Sequence, residues 1–246
     1  MIKFIISSDQ ANALISSNYC ELSPEQSHHC LRVLRVQKGE KILLIDPLGK
    51  QKYLVEFYKA QSKDIALLKF LENAGQLSTP TVKIIFLPSI KQPRLELAIE
   101  KLTEIGIETI NIFESERSKA KLKTEDPRKK ERFKKISLAA AEQSANAPAQ
   151  INLYDSLADA LSQTEPQSKA FICSLSPLAI HVSKLQINKG ERVSLAVGPE
   201  GDLSSSEKLL FEKNNFIEIY CGESVLRSET AAIVATSFIN IISQAK

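Results

Sequence analysis

The feature that most limits the fold is a change of rhythm after Pro80. From there on, apolar runs of strand length alternate with helical segments. The expected strands are Val82–Leu87, Ile107–Phe113, Ala170–Leu175, Arg192–Val197 and Phe216–Tyr220. Helices are expected to start near Pro93, Pro127, Ser156, Ser204 and Glu229. A helix between two strands carries the chain back along the sheet, so the strands run mostly parallel, with helices on both faces. Residues 81–246 therefore read as an α/β domain.

Residues 1–72 read mostly as strands, at Lys3–Ile6, Lys41–Ile45, Lys52–Tyr58 and Ile65–Leu71, with a turn at Asp46-Pro47-Leu48-Gly49. One helix is expected from about Pro24 to Val36, with Ser23 as N-cap, Pro24 at the first helical position and Gln26 closing a capping box. This fits a small β-barrel-like domain. The polar stretch from Glu72 to Pro80 reads as a connection, with a linker over 73–80.

At 246 residues, 43% apolar and 25% charged, the chain can bury a core without covalent staples. Cys20, Cys30, Cys173 and Cys221 are scattered, which argues against a disulfide framework or a zinc site. In His28-His29-Cys30, adjacent helical positions point in different directions, so no metal is expected there. No apolar run has the length of a membrane helix, and Met1–Ile6 is too short for a signal-peptide core. The chain reads as cytoplasmic, without a membrane partner.

In an open parallel sheet, ligands bind beyond the carboxyl ends of the strands. None of the eight glycines forms Gly-x-Gly, and neither a phosphate-binding GxxxxGK[ST] nor a GxSxG elbow is present. Dinucleotide-binding, P-loop and serine-hydrolase readings are disfavoured. Two post-strand loops stand out instead. Gly198-Pro199-Glu200-Gly201-Asp202-Leu203 presents stiff, bare backbone before a helix capped by Ser204 and Glu207. Cys221-Gly222-Glu223-Ser224-Val225-Leu226-Arg227-Ser228-Glu229 leads into the last helix, read as Ala231 to Ser243. Glu229 suits a helix N-terminus, but Arg227 does not unless an anion faces it.

The net charge of +3 is uneven. From Arg117 to Lys135, ten basic residues face three acidic ones, a net of +7 on an otherwise acidic chain. Such a segment suits a polyanion, or else a solvated helix face.

GPEGxLSxxE followed by Gly-x-x-x-Leu-Arg-x-Glu-Thr-Ala resembles the RsmE family of SPOUT-type 16S rRNA uridine-N3 methyltransferases. The likeness extends to Lys91–Gly106, Glu116-Arg117-Ser118, Ala140-Ala141-Glu142-Gln143-Ser144 and His28–Arg35, in the family's order. Two positions depart from it. Asn146 stands where an arginine is expected, and Asp202 replaces the second glycine of GPEGG.

The resemblance implies a PUA-like β-barrel domain before a trefoil-knotted SPOUT domain that binds S-adenosylmethionine (AdoMet) and acts as a homodimer. The implied reaction is methylation of N3 of a uridine in 16S ribosomal RNA, within the small ribosomal subunit, with RNA rather than DNA as partner. The implied cofactor contacts are Leu175, Gly198, Pro199, Glu200, Gly201, Ile219, Tyr220, Cys221, Gly222, Ser224, Val225, Leu226 and Arg227. Arg227 would stabilise the uracil anion or hold the phosphate, and Glu229 would orient Arg227 or accept the proton. RNA contacts are expected at Arg32, Arg35, Arg117, Lys119, Lys121, Arg128, Lys129, Lys130 and Gln143. Glu104, Arg117 and Gln143 face the RNA side or make salt bridges and caps within the domain. The competing readings are a non-catalytic RNA-binding or ribosome-assembly factor on this scaffold, and a SPOUT enzyme acting on transfer RNA.

Overall fold

A computed structural model describes residues 1–62, 64–118 and 120–244. It divides into two units: Met1–Ser78 with Ala141–Pro148, and Thr79–Ala140 with Ala149–Lys246.

The first unit holds β1 (Ile2–Ile5), α1 (Ser8–Ser17), β2 (Tyr19–Glu21), α2 (Pro24–His28), a π-helical turn (His29–Val33), β3 (Lys41–Asp46), β4 (Gln51–Ser62) and β5 (Ile65–Gln76). Its sheet runs β1-β3-β4-β5-β2, antiparallel except for β1 beside β3. Phe4, Leu14, Ile42, Leu44, Val55 and Leu68 form its core. The β3–β4 turn is fixed by Asp46, whose carboxylate accepts from the Leu48 and Gly49 N–H groups at 3.2 and 2.9 Å. A Cβ at Gly49 would lie 2.2 Å from that carboxylate, so any side chain there would push Asp46 out of this arrangement.

Three expectations are corrected in this unit. The single helix to Val36 is a short α-helix that widens into the π turn, closed by Leu34 N–H on His29 O at 2.9 Å. The wider turn keeps Cys30 buried, and the chain leaves it through Arg35 at φ 53, a conformation L-residues rarely adopt. Helix α1 was not expected. Its Ser7–Gln10 capping box starts a short, mostly polar helix that buries only Ala11 and Leu14. The polar residues up to Gln76 are strand rather than linker, because Asn73, Gly75 and Gln76 still pair with Tyr53, Lys52 and Gln51 of β4.

The second unit contains β6 (Val82–Pro88), α3 (Gln92–Glu104), β7 (Thr109–Phe113), most of α4 (Pro127–Ser144), β8 (Gln150–Tyr154), α5 (Leu157–Ser162), β9 (Lys169–Cys173), β10 (Ile180–His181), β11 (Val193–Ala196), α6 (Ser205–Lys213), β12 (Ile217–Tyr220) and α7 (Ser228–Gln244). The sheet runs β10-β12-β9-β11-β6-β7-β8, and every pairing is parallel. The expected α/β class is what the chain adopts, with β8 and β10 added. Val82, Ile85, Leu87, Ile110, Phe171 and Leu195 anchor the main core with Ala232, Ala235 and Ile239 of α7. Asn240 fastens α7 to the start of β6 by accepting from Thr81 and Val82 N–H groups at 3.0 and 2.9 Å. The order β12-β9-β11 places the carboxyl ends of three parallel strands side by side, and the segments that follow them build the site.

Candidate active site

The segments after β9, β11 and β12 enclose a cavity of about 740 Å³. The wall after β11 is Gly198, Pro199, Glu200 and Asp202, and the wall at the end of β12 and beyond runs from Glu218 to Ser228 with a gap at Glu223. Each loop leaves its strand where the ladder ends, so its peptide groups are no longer all committed to strand pairing. At φ +145, Gly222 adopts a backbone that side chains disfavour.

Two ties hold these loops together. Ser228 Oγ donates to Gly198 O at 2.6 Å. The guanidinium of Arg94, in the first turn of α3, hydrogen-bonds Glu200 and lies 3.7 Å (Nε to Oε1) from Glu229. Below them, the Ser204–Glu207 capping box starts α6, and Glu207 also accepts from Glu116 N–H at 3.1 Å. Ser206 donates to Glu116 at 2.8 Å, and this bond, the first cause, with a second from Ser204 holds the Glu116 carboxyl below the usual range. Glu116-Arg117-Ser118 therefore braces the loop that carries Gly198.

Asp202 sits at φ +60, the backbone reason a glycine suits this position, and its carboxylate accepts from Leu203 N–H at 2.8 Å and Lys208 Nζ at 2.6 Å. Burial pushes its carboxyl up, but those two bonds outweigh burial and hold it below the usual range. Cys173 and Cys221 share the cavity wall. Its hydrogen bond to Cys221, and then burial, push the Cys173 thiol well up.

Twelve of the thirteen expected cofactor residues line the cavity, from Leu175 to Arg227. Gly201 does not, because it backs onto Arg117, whose carbonyl a Cβ there would meet at 3.5 Å. Arg227 lies on the wall, exposed, and its carbonyl accepts from Ala231 N–H at 2.8 Å, which makes it the residue before the first turn of α7. Glu229 is off the wall, its side chain 7% exposed, and its ionic partner is Arg94 rather than Arg227. The expectation that Glu229 orients Arg227 is corrected accordingly. Helix α7 begins at Ser228 rather than Ala231, since Arg227 O opens its hydrogen-bond ladder.

Sequence reasoning missed Ser174, Lys208, Glu218 and Ser228 on the wall, and Arg94 behind it. Arg94 carried the same signal that singled out Arg227, a cation at the N-terminal end of a helix.

The expected RNA residues fall in both units. Arg32, Arg35 and Gln143 belong to the first and are exposed; the Gln143 carbonyl accepts from the Lys3 ammonium. Arg117, Lys121, Arg128, Lys129 and Lys130 belong to the second, and Lys119 lies outside the described residues. Lys121 pairs with Glu114 at 2.5 Å and Lys130 with Glu125 at 3.9 Å, while Lys129 sits 5.9 Å over the Phe133 ring. Glu104 binds Lys101 at 2.8 Å, one of the two readings left open for it.

Fold and cavity together define a parallel α/β protein that receives a small molecule at the carboxyl ends of its strands. Residues 78–240 match the model of an RNA methyltransferase domain, and residues 22–71 match that of an RNA methyltransferase PUA domain. The chain belongs to this RNA methyltransferase family. It is 29% identical to ribosomal RNA small subunit methyltransferase E 2 of Borreliella burgdorferi, over 87% of this chain and 88% of that one. It is also 29% identical to ribosomal RNA small subunit methyltransferase E of Mesomycoplasma hyopneumoniae, over 95% and 96% of the two chains. The solved structure of ribosomal RNA small subunit methyltransferase E from Neisseria gonorrhoeae bound to S-adenosyl methionine shares the fold, with a TM-score of 0.82 over 98% of each chain at 22% identity.

Proposed function

We propose that this protein is an AdoMet-dependent methyltransferase that modifies N3 of a specific uridine in 16S ribosomal RNA, in the cytoplasm and as a homodimer. The cavity at the ends of β9, β11 and β12 carries this reading, since most of its wall is the two loops on which the resemblance rests. Its volume of about 740 Å³ suits a ligand of AdoMet size, and the exposed backbone at Gly222 suits adenine and ribose. In this reading the chain is threaded as a trefoil knot. The exposed Leu175, Leu178 and Val225 offer apolar surface that a second copy would cover.

Bound AdoMet supplies an electrophilic methyl group on a sulfonium. The chain has to hold the uracil ring against that group and stabilise the negative charge left when N3 loses its proton. Arg227 fits that role, because it lies on the cavity wall and among the described residues no carboxylate forms an ion pair with it. Glu229, turned toward Arg94, supports the wall rather than taking the proton. Arg128 and Lys129, with Arg32 and Arg35, would contact phosphates without reading sequence.

The test is incubation of the protein with methyl-labelled AdoMet and small ribosomal subunits from cells lacking this modification, followed by digestion to nucleosides. Labelled 3-methyluridine is the expected product. Label in transfer RNA instead would move the substrate. No label anywhere, with no AdoMet binding by calorimetry, would sink the enzyme reading.

A further inference from the structure

The first turn of α3 is a poor place for a cation, because free backbone N–H groups make that end positive and no acidic residue in the turn offsets it. Arg94 stands there all the same, its side chain 27% exposed. Its guanidinium meets carboxylates from two distant segments: Glu200, on the cavity wall after β11, and Glu229, in the first turn of α7. Glu229 is withdrawn from water at 7% exposure, and Arg94 is its ionic partner among the described residues. A carboxylate so placed is costly to leave unpaired. A planar guanidinium can engage two carboxylates on different edges, whereas an ammonium is a single point charge.

We propose that Arg94 is a positioning residue for the cavity, locking the loop after β11 to the start of α7 and so setting how the two cofactor loops face each other. This rests on the reading of that cavity as an AdoMet site. Arg94 is absent from the cavity wall, so its effect on a ligand passes through Glu200 and Glu229. Ser228, bonded to Gly198 O, is the neighbouring tie between the same loops, and without Arg94 it holds them by one neutral hydrogen bond.

The experiment uses the full chain with Arg94→Ala, Arg94→Lys and Arg94→Gln, and a double-mutant cycle of Arg94→Gln with Glu229→Gln. AdoMet affinity is read by calorimetry, and thermal unfolding is read without ligand. Arg94→Ala is expected to bind AdoMet about tenfold more weakly while turnover at saturating AdoMet changes by about twofold or less, since the tie acts through positioning. Arg94→Lys should recover part of the affinity. In the ligand-free protein, Glu229→Gln should cost less once Arg94 is already Gln, because the carboxylate has then lost its partner. If the Ala variant does not fold, Arg94→Gln carries the comparison. Wild-type affinity in Arg94→Ala or Arg94→Gln, or strictly additive thermal losses, would overturn this inference alone. A wild-type protein that binds no AdoMet would overturn the proposed function and this inference with it.

Discussion

The basic segment from Arg117 to Lys135 and the cavity loops at Gly198–Asp202 and Cys221–Ser228 use charge in opposite ways. The segment is dense in cations that lie close in sequence, and part of that charge is answered nearby in the chain, Lys121 by Glu114, Lys130 by Glu125 and Lys135 by Glu131, while Arg132 is answered by Glu96 of α3. The charges at the cavity come from distant parts of the chain: Glu200, Asp202, Lys208, Glu218 and Arg227 stand on its wall, and behind it Arg94 of α3 joins Glu200 to Glu229 at the start of α7. A count of charges along a sequence therefore overstates the first region and understates the second. Screened surface pairs contribute little, whereas charges fixed around a partly enclosed cavity act on whatever enters it.

The contrast can be broken most forcefully at Arg227. Arg227→Ala is expected to lower kcat by about 10²–10³, the usual cost of losing one group that stabilises developing negative charge. AdoMet affinity measured by calorimetry should stay within a few fold of wild type. Unchanged turnover would remove Arg227 from the chemistry.

A smaller effect is expected in the basic segment, where cations held in an ion pair and those outside one among the described residues should differ. The double variant Arg128→Ala, Lys129→Ala should weaken RNA binding several-fold and flatten the dependence of log K on log salt by roughly 1.5–2, as for two lost phosphate contacts. Lys121→Ala with Arg132→Ala should do clearly less in the same filter-binding titration. Equal losses in the two pairs would mean that the local carboxylates do not withhold charge from RNA.

The smallest effect concerns Arg132 and Glu96, bonded at 2.5 and 2.7 Å. The hydrogen bond from Arg132, above all, holds the Glu96 carboxyl below its ordinary value of 4.5, while burial works the other way. A depressed carboxyl contributes stability that is present above its unfolded pKa and is lost as pH falls through its lower folded pKa. Wild type should therefore melt above Glu96→Gln at neutral pH, and the gap in Tm should close as pH drops below 4.5. A gap that stays constant as pH falls ever further below 4.5 would show that the pair is not the source.

Much of this was legible in the sequence. The long apolar runs that became β6, β7, β9, β11 and β12 announced a parallel sheet, and the bare loops after two of them announced the cavity. Arg227 was legible because a cation before a helix needs an explanation. Arg94 asked for the same explanation, but its answer lies in Glu200 and Glu229, which only tertiary packing brings close. Strand β8 was missed because Gln150–Tyr154 is short and mixed, and its pairing with β7 overrides weak local preference. Gln143 read as part of the enzyme domain, yet residues 141–148 group with the N-terminal unit, a partition set by contacts and invisible to composition.

The register of the central strands bears on how the protein comes into being during synthesis. Strand β6 lies between β7 and β11, and Val82 pairs with Val193, so the strand must wait for a partner made much later. Pairings so far apart in sequence form slowly and leave apolar edges uncovered meanwhile. The last wall of the cavity follows β12, and α7 closes the core behind it. A nascent chain thus passes most of its translation without a binding site and with an open sheet edge that invites chaperones. A chain that stops short of α7 would lack the helix that completes the main core, and the apolar surface left uncovered is the kind that chaperones and proteases triage.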